Sequence, residues 1–393
     1  MGSLEVTAGV KATRELRLGM VGGGRGAFIG AVHRMASRLD GRYQLVAGAL
    51  SSDPRRARAS GRDLGIARDR CYASYQEMAQ KESRREDGID AVAIVTPNNV
   101  HFKPAKIFLE AGIHVILDKP LTTTLQEAIA LEKIVRKSRL IFGLTHTYTG
   151  YPMVRQAREM ILGGALGQVR LVEVEYPQDW LAVPLEKSGN KQAQWRTDPK
   201  RSGPAGALGD IGSHAYNMAC FVTGLQCEAV AADVHTFVPG RKLDDNIHVL
   251  LRFKGGAKGM LWASQVAVGC ENDIRIRVFG DKASLEWRQE EMNYLKFSRY
   301  GEPPQRLSRS GVGSMSSAVH ASRVPAGHPE GYIEAFAQLY TDLAEQICAH
   351  IDSRRPDPAS LLVPGVVEGV AGVRFIDAVL RSSRRNSAWM RLI

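Results

Sequence analysis

The sequence is poor in cysteine and has no long apolar run. Its 393 residues contain only five cysteines (Cys71, Cys220, Cys227, Cys270 and Cys348), and no two of them form a Cys-x-x-Cys pair. An odd number of scattered cysteines predicts neither a disulfide framework nor a zinc site, and is typical of a reducing cytoplasm. No uncharged apolar stretch approaches the roughly 18 residues that a membrane helix needs. We therefore expect a cytoplasmic protein with no membrane partner and no bound metal.

The chain also lacks a concentrated patch of one charge. Its formal net charge is +11, yet the basic residues occur in short groups, such as Arg354-Arg355, that are dispersed along the sequence. Proteins that bind nucleic acids cluster lysine and arginine on one face and usually carry a recognisable motif. Neither feature is present, so we expect no nucleic-acid partner.

The first 15 residues show no targeting pattern. They have neither the apolar core of a secretory signal nor the arginine- and serine-rich, acid-poor composition of a transit peptide. We interpret residues 1–15 as a loose N-terminal extension.

Residues 16–150 alternate short apolar segments with helical patterns, and the total length favours two domains. The segments that we interpret as strands are 16–21, 43–50, 91–95, 114–117 and 140–144, and the helical patterns cover 28–39, 57–64, 104–111 and 125–137. This alternation predicts right-handed β-α-β units in a doubly wound parallel sheet, a Rossmann domain.

The pattern changes after residue 150. A helix at 153–162 precedes longer strands at 169–176, 229–237, 247–253 and 259–266. Residues 151–393 are thus predicted to form an α+β domain with a large, mostly antiparallel open sheet, and its C-terminal helix can pack back on the first domain. The polar stretches 181–200 and 301–326 are too long for simple turns, and loops of that length tend to be functional or mobile.

A glycine cluster lies between the first strand and the first helix. The run Gly22-Gly23-Gly24-Arg25-Gly26-Ala27 fits the pattern G-x-G-x-x-G/A. Small residues permit a tight turn, a close approach of pyrophosphate and tight packing of helix on strand, with the helix N-terminus facing the anion. A flexible turn is the alternative. The repeated β-α units favour a dinucleotide site, with Gly22, Gly24, Arg25 and Ala27 as cofactor-binding residues.

The end of the second strand leaves the choice between NAD and NADP open. An acidic residue that binds the adenosine ribose is expected here, but Ser51 occupies this position. Asp53 precedes a proline and is interpreted as a helix cap, while Arg55 or Arg56 could meet a 2′-phosphate. We expect NAD as cofactor, with NADP possible.

Three further segments follow the glycine cluster in order. They are Thr96-Pro97-Asn98-Asn99-Val100-His101, Asp118-Lys119-Pro120-Leu121 and Gly206-Ala207-Leu208-Gly209-Asp210-Ile211-Gly212-Ser213-His214. Together with the glycine cluster they resemble the glucose-fructose oxidoreductase / inositol dehydrogenase (Gfo/Idh/MocA) family, and the likeness runs from residue 16 to residue 392. The resemblance implies an NAD(P)-dependent dehydrogenase that acts on sugars or cyclitols, and a homodimer or homotetramer.

The resemblance assigns the catalytic roles to Lys119, Asp210 and His214. Asp210 and His214 are four residues apart, so on a helix both can point into one cleft. Imidazole is well matched to general base catalysis at neutral pH, which makes His214 the base that takes the hydroxyl proton. Lys119 would stabilise the developing alkoxide and contact the cofactor, and Asp210 would orient the substrate. The alternative is that each is an ordinary surface, capping or structural residue.

The same resemblance suggests further contacts. Thr96 and Asn98 match a loop that lies along the cofactor in this family, and His101 is equally well interpreted as structural. The chain departs from the family pattern by having Asp118, a shorter carboxylate, before Lys119. The segment 145–152 also lacks an arginine that many relatives use, which disfavours an anionic substrate.

The candidate substrate-binding residues supply aromatic rings and hydrogen-bonding groups suited to a polyhydroxylated ring; they are His146, Tyr148, Gln178, Asp179, Trp180, Arg196 and His328.

We therefore predict hydride transfer between NAD(P) and a ring hydroxyl of a sugar, glycoside or cyclitol. The first alternative is an NAD-dependent glycoside hydrolase that oxidises its substrate transiently, eliminates, and reduces again. A ligand sensor without enzymatic activity is a further alternative, and the presence of Lys119, Asp210 and His214 argues against it.

Overall fold

The computed structural model describes residues 14–392, so most of the predicted extension at residues 1–15 lies outside the described residues. The first of its two sheets contains five parallel strands in the order β2-β1-β3-β4-β5. The strands are β1 (Leu16–Gly22), β2 (Tyr43–Ala49), β3 (Ala91–Val95), β4 (His114–Leu117) and β5 (Phe142–Leu144). Every residue of β3 and β4 is buried, as continuous apolar runs predict for strands covered on both faces. The predicted Rossmann sheet is confirmed.

Helices connect these strands. They are α1 (Phe28–Leu39), α2 (Pro54–Asp63), α3 (Tyr75–Glu82), α4 (Phe102–Glu110) and α5 (Leu125–Ser138). Helix α2 begins three residues earlier than its apolar pattern predicts, because Pro54 supplies the first turn and the Asp53 side chain accepts hydrogen bonds from the backbone N–H groups of Arg55 and Arg56. Asp53 is thus a helix cap.

The described part of the chain continues with seven more α-helices. They are α6 (Pro152–Leu162), α7 (Lys191–Arg196), α8 (Pro199–Ser202), α9 (Ser213–Thr223), α10 (Ser316–His320), α11 (Tyr332–Ile351) and α12 (Val366–Ser383). The predicted polar stretch 181–200 contains α7 and the first half of α8, because Asn190 and Asp198 cap their first turns. The stretch 301–326 likewise contains α10.

Within residues 14–392 the second sheet has nine strands in the order β13-β12-β11-β10-β6-β9-β8-β7-β14, and only the β6–β9 pair is parallel. The strands are β6 (Val169–Pro177), β7 (Cys227–His235), β8 (Asn246–Phe253), β9 (Lys258–Ser264), β10 (Arg275–Gly280), β11 (Ala283–Arg288), β12 (Tyr294–Arg299), β13 (Gln305–Ser308) and β14 (Met390–Arg391). Burial alternates along β8, where Ile247, Val249 and Leu251 face the core while Leu250 is exposed. One sheet face is therefore covered and the other open, as predicted for an α+β domain.

Two helices from the end of the chain cover earlier elements. Helix α11 packs beside α1, and its Phe336 and Tyr340 share a core with Leu18 and Met20 of β1. Helix α12 packs against α5, α9 and β7. By length and composition the stretch Pro358–Ser383 could span a membrane; in this fold 44% of its most apolar window is buried. The boundary between residues 150 and 151 stays a prediction.

Candidate active site

A cleft of about 1360 Å³ lies where the carboxyl ends of the first sheet face the second sheet. Its lining combines the glycine cluster and the ends of β2 and β3 with residues of α7, α9 and β6. Ligands of open α/β sheets bind at this edge, where strand ends and helix N-termini converge.

The glycine loop is shaped by backbone constraints. Gly22 has φ +81°, and a Cβ there would lie 2.9 Å from the carbonyl oxygen of Val95. At Gly24 an added Cβ would lie 2.6 Å from the carbonyl oxygen of Leu50 and 2.8 Å from Ser60 Oγ. An added side chain at Gly24 would therefore meet the neighbouring loop and helix α2. Both glycines allow the loop to lie flat against the strand ends.

Arg25 lines the cleft, but its charge is already paired. Its guanidinium donates to both carboxylate oxygens of Asp63 at 2.5 and 2.7 Å, and its backbone N–H donates to Ser60 Oγ. The side chain thus ties the glycine loop to α2. Ala27, at the N-terminus of α1, also lines the cleft.

At the end of β2 the cleft is lined by Ser51, Ser52 and Arg56. Arg55, the neighbouring residue in the first turn of α2, does not line it. The Asp53 carboxylate is engaged by backbone N–H groups and is not free to bind a ribose. The choice between NAD and NADP remains a prediction.

The loop after β3 contributes the next section of the cleft. Thr96 and Asn98 line it; Asn98 Nδ2 donates to the carbonyl oxygen of Ser202, while the buried Thr96 Oγ1 has no protein partner. His101 is buried outside the cleft, with its ring nitrogens 2.7 Å from Pro120 O and 2.9 Å from Thr96 O. An orphaned hydroxyl beside a flat glycine loop fits a dinucleotide, which supplies polar groups and needs a small-residue cradle.

Lys119 and Asp210 meet in the cleft. Lys119 Nζ donates to Asp210 Oδ1 at 2.8 Å and to the Asp210 carbonyl oxygen at 2.6 Å. The other carboxylate oxygen, Oδ2, accepts from Arg196 Nε at 3.2 Å and from Gln265 Nε2 at 3.0 Å. Burial alone would raise the pKa of Asp210, but the charges of Lys119 and Arg196 outweigh burial and hold this pKa well below its usual range. Asp210 is thus an ionised hydrogen-bond acceptor.

Asp210 and His214 lie on either side of a junction between two kinds of helix. Residues Leu208–Gly212 form a π-helical turn, and α9 begins at Ser213. Such wide turns are rare and often mark functional sites. Both side chains line the cleft. The sequence predicts an ordinary helix here, since no residue pattern distinguishes a π turn.

His214 is buried among polar and aromatic groups. Burial, and next the positive charge of Lys119, lower the pKa of His214 well below its ordinary value. Its Nδ1 lies 3.4 Å from His146 Nδ1, and burial lowers the pKa of His146 to about 3. Both rings are therefore neutral at pH 7, and a neutral imidazole at the cleft surface can accept a proton.

Beyond His214 the cleft is lined by aromatic and amide groups. The hydroxyls of Tyr148 and Tyr176 are hydrogen-bonded to each other, and Tyr176 donates to Asn272 Oδ1 at 2.8 Å. Gln178 Nε2 donates to the same Asn272 oxygen, and Trp180 Nε1 donates to Gln178 Oε1 at 3.1 Å. This chain of neutral polar groups fits an uncharged, hydroxyl-rich ligand.

Four predicted site residues do not line the cleft: Arg55, His146, Asp179 and His328. His146 lies behind His214. Asp179 Oδ2 accepts from the backbone N–H of Gly269, which turns it outward. His328 is exposed, and its carbonyl oxygen is bound by Arg309 within a separate loop. The remaining predicted residues come together, although their roles stay predictions.

Sequence reasoning missed several residues of the cleft. Asn272 and Gln289 come from the β10–β11 region, and Tyr332 from the start of α11. Burial raises the pKa of Tyr332 to about 12, so its hydroxyl stays protonated. No local motif identifies these residues, because only the packing of α11 and of the second sheet brings them to the site.

Comparisons with known proteins agree with this geometry. Residues 16–146 match the family model described as "Oxidoreductase family, NAD-binding Rossmann fold", and residues 154–286 match that of the "GFO/IDH/MocA C-terminal domain". An uncharacterized oxidoreductase of Bacillus subtilis, YfiI, is 36% identical over 96% of this chain and 97% of its own length.

Two solved structures are also similar. An oxidoreductase from Sinorhizobium meliloti is 53% identical with a TM-score of 0.87, and the match covers 96% of this chain and 99% of that one. An inositol dehydrogenase homolog from Azotobacter vinelandii, complexed with NADH and myo-inositol, is 37% identical with a TM-score of 0.89 over 97% and 98% of the two chains. The chain is thus a member of the GFO/IDH/MocA family of NAD-binding oxidoreductases.

Proposed function

We propose that the protein is a dehydrogenase that oxidises one ring hydroxyl of an uncharged sugar, glycoside or cyclitol with NAD. The observation that carries this proposal is the convergence of Lys119, Asp210 and His214 in the cleft that also contains the glycine loop. The solved relative that binds NADH and myo-inositol supports the same substrate class.

The residues divide the chemistry among them. When bound, NAD accepts the hydride that leaves the carbinol carbon. His214, neutral at pH 7, takes the hydroxyl proton, and Lys119 stabilises the negative charge that develops on the oxygen. The ionised Asp210 accepts a hydrogen bond from a neighbouring substrate hydroxyl and favours the protonated form of His214. In the overall reaction an alcohol is oxidised to a ketone, one hydride is transferred to NAD and one proton is released.

The neutral amide and tyrosine groups around Asn272 support an uncharged ligand. Arg196 is a second cationic side chain beside Asp210; it donates to that carboxylate and, at 2.7 Å, to Gln192 Oε1. Its guanidinium also lies 4.3 Å from the centre of the Trp195 ring. A guanidinium held in this way is a weaker partner for a substrate carboxylate than a free one.

A spectrophotometric screen tests the proposal. NAD and NADP would each be offered with a panel of sugars, glycosides, inositols and sugar acids. We expect reduction of NAD by at least one neutral polyol and little reduction by the acids. Preference for a sugar acid, or no reduction with any polyol, would overturn the proposal. Product release from a glycoside without net NADH accumulation would favour the hydrolase alternative.

We also propose a homodimer or homotetramer in the cytoplasm. The open face of the second sheet exposes Leu171, Leu250 and Met260, each about half exposed, and Leu250 lies opposite Met260 in the β8–β9 register. Exposed apolar patches of this kind mark protein interfaces. Light scattering on the purified chain and on Leu250→Lys tests this, because a monomeric parent would exclude the pairing.

A further inference from the structure

The turn that presents Asp210 is held by a carboxylate from a distant part of the chain. Asp244, which is 7% exposed, accepts hydrogen bonds from the backbone N–H of Gly206 at 2.6 Å and of Leu208 at 2.7 Å. Its own carbonyl oxygen accepts from the N–H of Ala207 at 2.9 Å. Three consecutive N–H groups, which lead into the π-helical turn, are thus satisfied by one residue.

The contact is close enough to restrict the residue on the other side. A Cβ at Gly206 would lie 2.1 Å from the Asp244 carbonyl oxygen, so only glycine allows this approach. The carbonyl oxygen of Gly206 in turn accepts from the N–H of Asp210 at 2.9 Å. Hydrogen bonds therefore connect Asp244 with the backbone of the π-helical turn that carries Asp210, called here the catalytic turn.

We propose that Asp244 is a positioning residue for catalysis, which fixes the turn so that Asp210 faces the substrate and Lys119. This rests on the role assigned to Asp210 under the proposed function. A buried carboxylate is costly in an apolar interior, and hydrogen bonds from two N–H groups offset that cost. Burial raises the pKa of Asp244 to about 6, and hydrogen bonds from these N–H groups limit that rise.

The neighbouring aspartate provides a matched control. Asp245 is fully buried, and its carboxylate accepts from the N–H groups of Phe237 and Val238 and from Arg241 Nη1 at 3.2 Å. None of these partners lies in the catalytic turn. Asp245→Asn therefore removes an equally buried charge without releasing Asp210.

The experiment compares the two substitutions in the full chain. Asp244→Asn keeps the shape of the side chain, but its amide has one acceptor oxygen, so it can accept a good hydrogen bond from only one of the two N–H groups. We expect faster amide hydrogen exchange at 206–212, a kcat roughly tenfold or more lower on the most rapidly oxidised polyol of the panel, and an NADH Kd within about twofold of the parent. Asp245→Asn should speed exchange near 237–241 and leave kcat close to the parental value.

Unchanged exchange at 206–212 in Asp244→Asn, or equal losses of kcat in both variants, would overturn the proposal. If Asp244→Asn does not fold, Gly206→Ala replaces it in the test. The added Cβ disturbs the contact between Gly206 and Asp244, and the same effects on exchange and kcat are expected. Amide exchange and NADH binding can be measured without a substrate, so they test the role of Asp244 in holding the turn by themselves. If no polyol is oxidised, the proposed function fails, but this test of Asp244 still stands.

Discussion

Lys119 and Asp210 are 91 residues apart in the chain, and in the cleft Lys119 Nζ lies 2.8 Å from Asp210 Oδ1. Lys119 follows β4 of the first sheet, whereas Asp210 lies in the turn before α9. The ion pair thus joins the two halves of the site. Burial raises the pKa of Asp210, and the Lys119 charge, together with Arg196, lowers it; burial lowers the pKa of His214, and the Lys119 charge lowers it further.

Lys119→Ala should lower kcat by roughly two to four orders of magnitude, the usual range for a group that acts on the reacting proton. Because Lys119 and His214 act on the same oxygen and proton, the double variant with His214→Ala should lose far less than the product of the two single losses. Steady-state kinetics of the three variants measure this coupling. Multiplicative losses would show that the two residues act independently.

Gly24→Val should abolish NAD binding. The added side chain would collide with the carbonyl oxygen of Leu50 and with Ser60 Oγ, and so would push the glycine loop off the end of β2. Calorimetric titration with NADH measures the loss. Gly372→Ala is the control, since a Cβ at this position in α12 meets no atom within 4 Å and alanine favours a helix. Equal NADH affinity in a folded Gly24→Val variant would contradict the role of this loop.

Asp342→Asn should destabilise the fold. Arg155 and Asp342 are both fully buried and paired at 2.6 Å, and Arg155 Nε also donates to the carbonyl oxygen of Thr149 beside the site. Removing one charge of a buried pair leaves the other uncompensated, which costs about 3–5 kcal/mol. Urea unfolding measures this loss. Lys106→Gln, which breaks an exposed pair with Glu110, should cost less than about 1 kcal/mol; similar losses in both variants would contradict the argument.

The free energy of unfolding should fall as the pH drops below about 6.5, in part because of His114. Its Nδ1 accepts a hydrogen bond from the N–H of Ile141, and burial, then His350, lowers its pKa to about 4. Between these values the unfolded chain binds a proton that the native protein does not, so stability rises with pH across this window, by up to about 2 kcal/mol between pH 5 and 6.5.

Urea unfolding at about pH 7.5 and about pH 5 tests the contribution of His114. His114→Asn keeps an oxygen that can accept from Ile141 but cannot titrate, so the difference in stability between the two pH values should be smaller than in the parent. An unchanged difference would mean that other groups account for all of the pH dependence.

The sequence predicts those parts of the molecule that local patterns determine. The glycine cluster and the buried strands of the first sheet carry a short-range signal, and they form as predicted. The segments around Lys119 and Asp210 carry such a signal too and meet in one cleft, but 208–212 forms a π turn where the sequence predicts an ordinary helix. Tyr332 and Asn272 could not be found this way, because they reach the cleft only through long-range packing. His328 was expected at the site on its chemistry alone, and the loop that Arg309 organises holds it elsewhere.

His214→Ala should separate chemistry from cofactor binding. The glycine loop and Thr96 hold the dinucleotide site independently of α9, so the NADH Kd should stay near the parental value while kcat falls by roughly two to four orders of magnitude. In the parent, kcat/KM for oxidation should fall as the pH drops through the pKa of His214, because the protonated ring cannot accept the substrate proton. Burial and Lys119 lower this pKa, so the fall should occur below pH 6.5, the ordinary value for histidine. This fall at acidic pH should be absent in His214→Ala.

A His214→Ala variant that keeps near-parental kcat, or that shows the same fall at acidic pH, would show that His214 is structural. The general base would then be another of the groups that line the cleft.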